Sequence, residues 1–139
     1  MKTFNWGRSS ITRLSGVNKV LQRFANRLLK RSKIDLTIPW RGGKRTAETQ
    51  YAIFQSGASQ RDGFNKKSYH QSGNALDVVA AGDTIAKMYD VEKLEYIMEV
   101  AEVIWCEMEE EGLTEGYVLE LGGHWKNFYD PAHYQIVKK

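Results

Sequence analysis

The sequence predicts an α+β fold, a single domain in which helices flank a small, mainly antiparallel sheet. Three observations predict it. Two stretches, at 17–29 and 91–108, place apolar residues three and four apart, the spacing of a helix with one buried face. Four short runs, near 36–40, 75–79, 117–121 and 134–137, are apolar or β-branched and are set off by Gly, Pro or polar turns. The chain has 139 residues, 42% of them hydrophobic. That is enough for one core burying roughly two-thirds of the surface an unfolded chain of this size exposes.

In order, Phe4, Trp6, Ile11 and Leu14 are apolar anchors without a clear period. Val17 to about Arg31 reads as an amphipathic helix. Its apolar face carries Val17, Val20, Leu21, Phe24, Leu28 and Leu29, and its polar face Lys19, Arg23, Arg27, Lys30 and Arg31. Leu36 to Trp40 is a short strand, and Pro39 marks it as an edge or an end. Arg41-Gly42-Gly43-Lys44-Arg45 is a basic turn. Thr46 can cap a helix over about 47–55, with Glu48 favourably in the first turn and Tyr51 and Phe54 facing the core. Residues 56–67 form a polar loop.

Ala75 to Val79 is the next strand, followed by a turn at Gly82. Asp90 starts the longest helix, which runs to about Glu111 and stops at Gly112. Val91, Leu94, Ile97, Met98, Ala101, Ile104, Trp105 and Met108 form its buried stripe. Cys106 sits among these residues and reads as buried filler. As the single cysteine it makes no internal disulfide. Glu107, Glu109, Glu110 and Glu111 read as a solvated helix end, since no histidine stands beside them. Tyr117–Leu121 is a strand, residues 122–130 an aromatic loop, and Tyr134–Val137 a final strand.

The formal net charge of +3 hides an asymmetry. Residues 1–67 hold 15 Lys and Arg against 3 Asp and Glu, while residues 68–139 hold 5 against 14. Either the basic half meets an anionic polymer, a nucleic acid or a cell wall, or the two halves attract each other within the fold. No stretch approaches the length of a membrane span, and the first residues lack the apolar core of a signal peptide. The expectation is synthesis in the cytoplasm without membrane insertion.

The chemistry lies in Ser68-Tyr69-His70-Gln71-Ser72-Gly73-Asn74-Ala75-Leu76-Asp77. Asp77 stands in a strand-like apolar run, where an unpaired carboxylate costs several kcal/mol, so it needs a partner. Near the C-terminus, Asp130-Pro131-Ala132-His133 supplies a second histidine and a second carboxylate. His70, Asp77 and His133 make the three-ligand set of a hydrolytic zinc site with an open fourth position, at the edge of the sheet. Asp130 is the candidate general base, because Pro131 breaks the strand and lets it stand in the approach loop. Arg45 is the candidate cation for a developing oxyanion, with Arg41 second. His124 is a ligand type by residue but has no spacing argument, and reads as a wall residue.

At these positions the chain resembles a known family. Ser68-x-His70-x-x-Gly73-x-Ala75-x-Asp77 is similar to the first motif of the D-alanyl-D-alanine carboxypeptidase group, which includes the phage L-alanyl-D-glutamate endopeptidases. Asp130-x-x-His133-Tyr134-Gln135-Ile136 resembles the second motif, Arg45-Thr46-x-x-x-Gln50 the arginine segment, and Gly122-Gly123-x-Trp125 with Phe128 the aromatic loop. The resemblance implies zinc on His70, Asp77 and His133, the base at Asp130, and substrate or oxyanion binding by Arg45, with Ser68 and Trp125 as substrate contacts. It implies a bacterial peptidoglycan stem peptide as substrate. The aspartate at position 130, as in the phage-type enzymes, favours the L-Ala–D-Glu bond over a D-Ala-containing bond. His124 stands where many relatives carry an acidic residue.

The expectation is thus a monomeric endolysin domain over 1–139, without a separate wall-binding domain or a stable nucleic-acid partner, released to the wall by a holin. A nucleic-acid module with a structural metal is the competing class. Asp77 as ligand opposes it, since structural zinc sites favour Cys and His and fill all four positions.

Overall fold

The architecture is that of a computed structural model describing residues 3–139. In chain order the elements are α1 (Arg8–Leu14), α2 (Lys19–Arg31), β1 (Leu36–Thr37), α3 (Ala47–Gln55), β2 (Ala75–Asp77), β3 (Val79–Ala80), α4 (Ile85–Met88), α5 (Val91–Glu110), β4 (Tyr117–Leu121), a 3-10 turn (Gly122–His124) and β5 (His133–Lys138). The expected α+β class is the observed one. A three-stranded antiparallel sheet has the order β2-β5-β4, and β1 pairs with β3 in a separate antiparallel ribbon.

The run expected as one strand from Ala75 to Val79 serves both sheets. Its first half pairs with β5 and its second with β1. The division falls at Val78, whose N–H leaves the ladder to donate to the Ala132 carbonyl at 2.9 Å. The strand over 36–40 is shorter than its sequence suggests. Pro39 ends it, and its carbonyl accepts from the Gly42 N–H at 2.8 Å in a tight turn that puts Arg41 at φ 64°.

Both amphipathic helices form, and their apolar stripes meet. Val17, Val20, Leu21, Phe24, Leu28 and Leu29 are buried, as are Leu94, Ile97, Met98, Ala101, Ile104, Trp105 and Met108. Phe24 packs edge-on against Trp105 at 6.0 Å between centroids and against Tyr134 of β5 at 5.7 Å, joining both helices to the sheet. Side-chain caps fix the helix starts: Asn18 accepts from Val20 N–H, Thr46 from Thr49 N–H and Asp90 from Lys93 N–H. Gly112, at φ 73°, ends α5, and the Leu113 N–H returns to the Met108 carbonyl at 2.9 Å.

Several expectations need correction. Val91 belongs to the first turn of α5 but is 52% exposed. Cys106 is exposed, because its place on α5 falls outside the arc that faces α2 and the sheet. Tyr51 and Phe54 do not face the core; they pack on each other and, through Tyr51, on Phe64 at the surface. The buried position of α3 is taken instead by Gln50. Helices α1 and α4 were not anticipated. The first is only 7 residues long and is anchored by a polar group: the buried Ser10 Oγ accepts from the Ile38 N–H at 2.9 Å.

Across the outside of the helix pair, Arg31 meets Glu107 at 2.7 Å and Arg27 meets Glu111. The basic and acidic halves of the chain therefore attract each other within the fold at these positions. Among the described residues, no helix is long and apolar enough to cross a membrane.

Candidate active site

Backbone register brings the second and third candidate ligands together. Asp77, at the end of β2, is the direct cross-strand partner of His133, at the start of β5. His70 arrives from the turn before β2, where its N–H bonds to Ser68 Oγ at 3.2 Å and its carbonyl accepts from the Arg45 N–H at 3.0 Å. The glycines of the basic turn come up beneath. Gly42 accepts from the Asp77 N–H at 2.9 Å, and Gly43 accepts from His70 Nδ1 at 2.9 Å. A β-carbon at Gly43 would lie 2.2 Å from the Arg13 carbonyl oxygen, so only glycine allows this approach.

Three atoms then converge. His70 Nε2 lies 3.2 Å from Asp77 Oδ1, His133 Nδ1 lies 3.3 Å from the same oxygen, and the two nitrogens are 3.2 Å apart. A tetrahedral ion with bonds of about 2.0–2.1 Å separates its ligand atoms by roughly 3.3–3.4 Å, so the triangle has the size of a zinc face. The protons fit as well. His70 Nδ1 is spent on the Gly43 carbonyl, and His133 Nε2 is spent on Gln135 Oε1 at 2.7 Å. Each ring therefore turns a lone pair inward. Asp77 Oδ1 is buried and has no hydrogen-bond partner among the described residues. Three acceptors facing one another at this range call for positive charge between them. A single proton can bridge only one edge, whereas a metal ion satisfies all three. His70, Asp77 and His133 could thus hold a metal ion.

The electrostatics agree. Burial alone would raise the Asp77 carboxyl, but His70 and His133 outweigh it and hold Asp77 well below the usual carboxylate range. Burial pushes the His70 imidazole down. For His133 burial works in the same direction, but the adjacent Asp77 carboxylate reverses the balance and raises it. Asp130 lies outside the triangle, on the wall of the same cleft. Its turn is closed by the His133 N–H on the Asp130 carbonyl at 3.1 Å, with Pro131 in the second position. Burial, and then the charge of Asp77, push the Asp130 carboxyl above its ordinary value.

Arg45 is held on three sides. Its Nε donates to the Arg41 carbonyl at 2.7 Å, Nη1 to Gln50 Oε1 at 2.9 Å, and Nη2 to Asp77 Oδ2 at 3.3 Å. Gln50 is locked in turn by Ser59 Oγ and the Arg61 carbonyl. Arg41 stacks over Trp40 at 3.9 Å and also lines the cleft. Ser68 and Trp125 are both on the cleft wall, and the Trp125 ring lies 5.1 Å from the His133 ring. The cleft encloses about 710 Å³, in the range of a ligand-binding site. His124 is elsewhere: it is 60% exposed at its side chain and pairs with Glu102 at 3.0 Å. The site also recruits residues to which sequence reasoning assigned no role, chiefly Gln135 and Tyr89. Only their proximity in the folded chain identifies them.

A solved structure shares this fold over nearly its whole length. The Serratia marcescens L-Ala D-Glu endopeptidase ChiX superposes with a TM-score of 0.73 at 25% identity, covering 96% of this chain and 90% of that one. A search of curated proteins finds no match. Fold and site define a peptidase that acts on peptidoglycan. The model of the phage L-alanyl-D-glutamate peptidase family matches residues 2–136, and the chain belongs to that family.

Proposed function

We propose that this protein is a zinc-dependent endopeptidase that hydrolyses the L-Ala–D-Glu bond of the peptidoglycan stem peptide and serves in lysis of the bacterial host. The observation that carries the zinc reading is the triangle of inward lone pairs on His70, Asp77 and His133, at 3.2–3.3 Å on each edge. Family membership supports the bond. Zinc held there would supply Lewis acidity toward the scissile carbonyl and toward the water that attacks it.

The remaining work falls to the chain. Asp130, on the wall of the same cleft, takes the proton of the attacking water and returns it to the leaving amine. Arg45 holds Asp77 from the side opposite the histidines, and its two uncommitted N–H groups are available to a substrate carboxylate or a developing oxyanion. Ser68 and Trp125 flank the peptide as substrate contacts. Arg41, Arg61 and Lys126 line the same cleft and suit an acidic stem peptide.

Digestion of purified peptidoglycan, with mass spectrometry of the new termini, tests the proposal. New N-terminal D-Glu is the expected result. Release of D-Ala would move the enzyme to the carboxypeptidase side of the same chemistry, and no new termini would overturn the reading.

A further inference from the structure

The two histidines of the triangle are oriented by different means. The His70 tautomer is set by a backbone carbonyl, that of Gly43, which no substitution can remove. His133 is set by a side chain. Its Nε2 lies 2.7 Å from Gln135 Oε1, and Gln135 Nε2 lies 2.7 Å from Glu120 Oε1. The sheet builds this chain of contacts. His133 and Gln135 are two residues apart on β5 and so share one face, and Glu120 of β4 is the direct cross-strand partner of Gln135.

The direction of each hydrogen bond follows from chemistry. An ionised carboxylate only accepts, so Glu120 must face the amide NH₂ of Gln135. That leaves the amide oxygen toward His133, so His133 Nε2 must carry the hydrogen and Nδ1 must present its lone pair to the triangle. Gln135 is itself largely buried, at 8% exposure, so few other partners compete for this amide.

We propose that Gln135 and Glu120 are positioning residues for metal binding, a relay across the sheet that fixes the His133 tautomer and so makes Nδ1 the coordinating atom. The inference rests on the metal reading above. It predicts that Gln135→Leu, which keeps the bulk and removes the acceptor, weakens zinc affinity by about 10–100-fold, the usual effect of losing the hydrogen-bond partner of a ligating histidine. Glu120→Ala frees the amide to turn over and gives a smaller loss in the same direction. Combining Glu120→Gln with Gln135→Glu restores the sequence of donors and acceptors, because the carboxylate at position 135 accepts from His133 and is held by the amide at position 120. That double variant is expected to recover most of the affinity.

Zinc affinity is read by competition with a chromophoric chelator. The His133 tautomer is read from the ¹⁵N shifts of the zinc-loaded, ¹⁵N-histidine-labelled protein, and the fold of each variant from circular dichroism. Wild-type protein that binds no zinc would sink the metal reading and this inference together. Wild type that binds while a folded Gln135→Leu binds equally tightly, or a wild-type spectrum with hydrogen on Nδ1 of His133, would overturn the relay alone. Affinity lost in each single variant and recovered in the pair supports it, since a merely structural role would not be rescued by reversing the two groups.

Discussion

Arg45 Nη2 sits 3.3 Å from Asp77 Oδ2, while the other oxygen of that carboxylate faces His70 and His133. One aspartate is therefore gripped by a guanidinium on one side and turned toward the histidines on the other. The ion pair is largely buried, with side-chain exposures of 11% and 17%. Arg45→Lys keeps the charge but cannot reach Arg41, Gln50 and Asp77 at once. It is expected to lower stability by about 1–3 kcal/mol, through buried acceptors left unpaired, and to lower kcat/KM. Urea denaturation and kinetics on one preparation measure both.

Removal of metal is the second test. The purified protein is expected to hold about one zinc per chain, to lose lytic activity with a chelator and to recover it with added zinc. Loading is also expected to raise the thermal midpoint, since the ion binds the folded chain. Alanine at His70, Asp77 or His133 removes the metal. His124→Ala, at a histidine paired with Glu102 instead, leaves metal content near normal. Full activity in a metal-free preparation would refute the role of the triangle.

Asp130→Asn separates base from ligand. The amide keeps the shape of the carboxylate and loses its basicity. Zinc content is expected to stay at the wild-type level while turnover falls by about two to four orders of magnitude. Asp77→Asn loses metal first and activity as a result. Near-normal turnover in Asp130→Asn would name the wrong base.

Gly122 supports Asp130 from behind. The Asp130 N–H donates to the Gly122 carbonyl at 3.0 Å, and a β-carbon at Gly122 would lie 2.3 Å from the Asp130 carbonyl oxygen and 3.0 Å from His133 Cβ. Gly122→Ala must push the turn that carries both groups. A stability loss of about 1–3 kcal/mol is expected, with a larger loss of activity than that destabilisation alone explains. An alanine variant with wild-type melting and kinetics would show that the turn yields freely.

The basic face of α2 gives the fifth prediction. Arg27 and Arg31 are engaged by Glu111 and Glu107, which leaves Lys19, Arg23 and Lys30 exposed as the groups able to meet an anionic wall. If they do, replacing these three by Gln weakens co-sedimentation with sacculi, and the wild-type binding falls steeply as salt rises. Unchanged binding in the triple variant would make the face plain solvated surface.

The residues that converge in the cleft could be picked out in the sequence because metal chemistry restricts residue type, and because a carboxylate in the apolar run at Asp77 demands explanation. The stripes of α2 and α5 were legible because period 3.6 persists over many residues. Other features depend on long-range geometry. The outward turn of Tyr51 and Phe54 follows from Gln50 taking the inner face of α3 to receive Arg45, a partner set by the fold rather than by local pattern. Likewise Glu120 meets Gln135 only through the register of β4 on β5. Cys106 shows the same limit: spacing defines a helix but not the width of the arc its neighbours cover.

The order β2-β5-β4 also bears on when the protein becomes active during its own synthesis. The middle strand is the last to be translated, and it brings His133. A nascent chain reaching only to β4 holds His70 and Asp77, with two strands that have no partner between them. It can neither close the sheet nor complete the ligand set. With the proposed ligand set, hydrolytic competence thus arrives with the docking of β5, and a fragment that stops short of His133 lacks it.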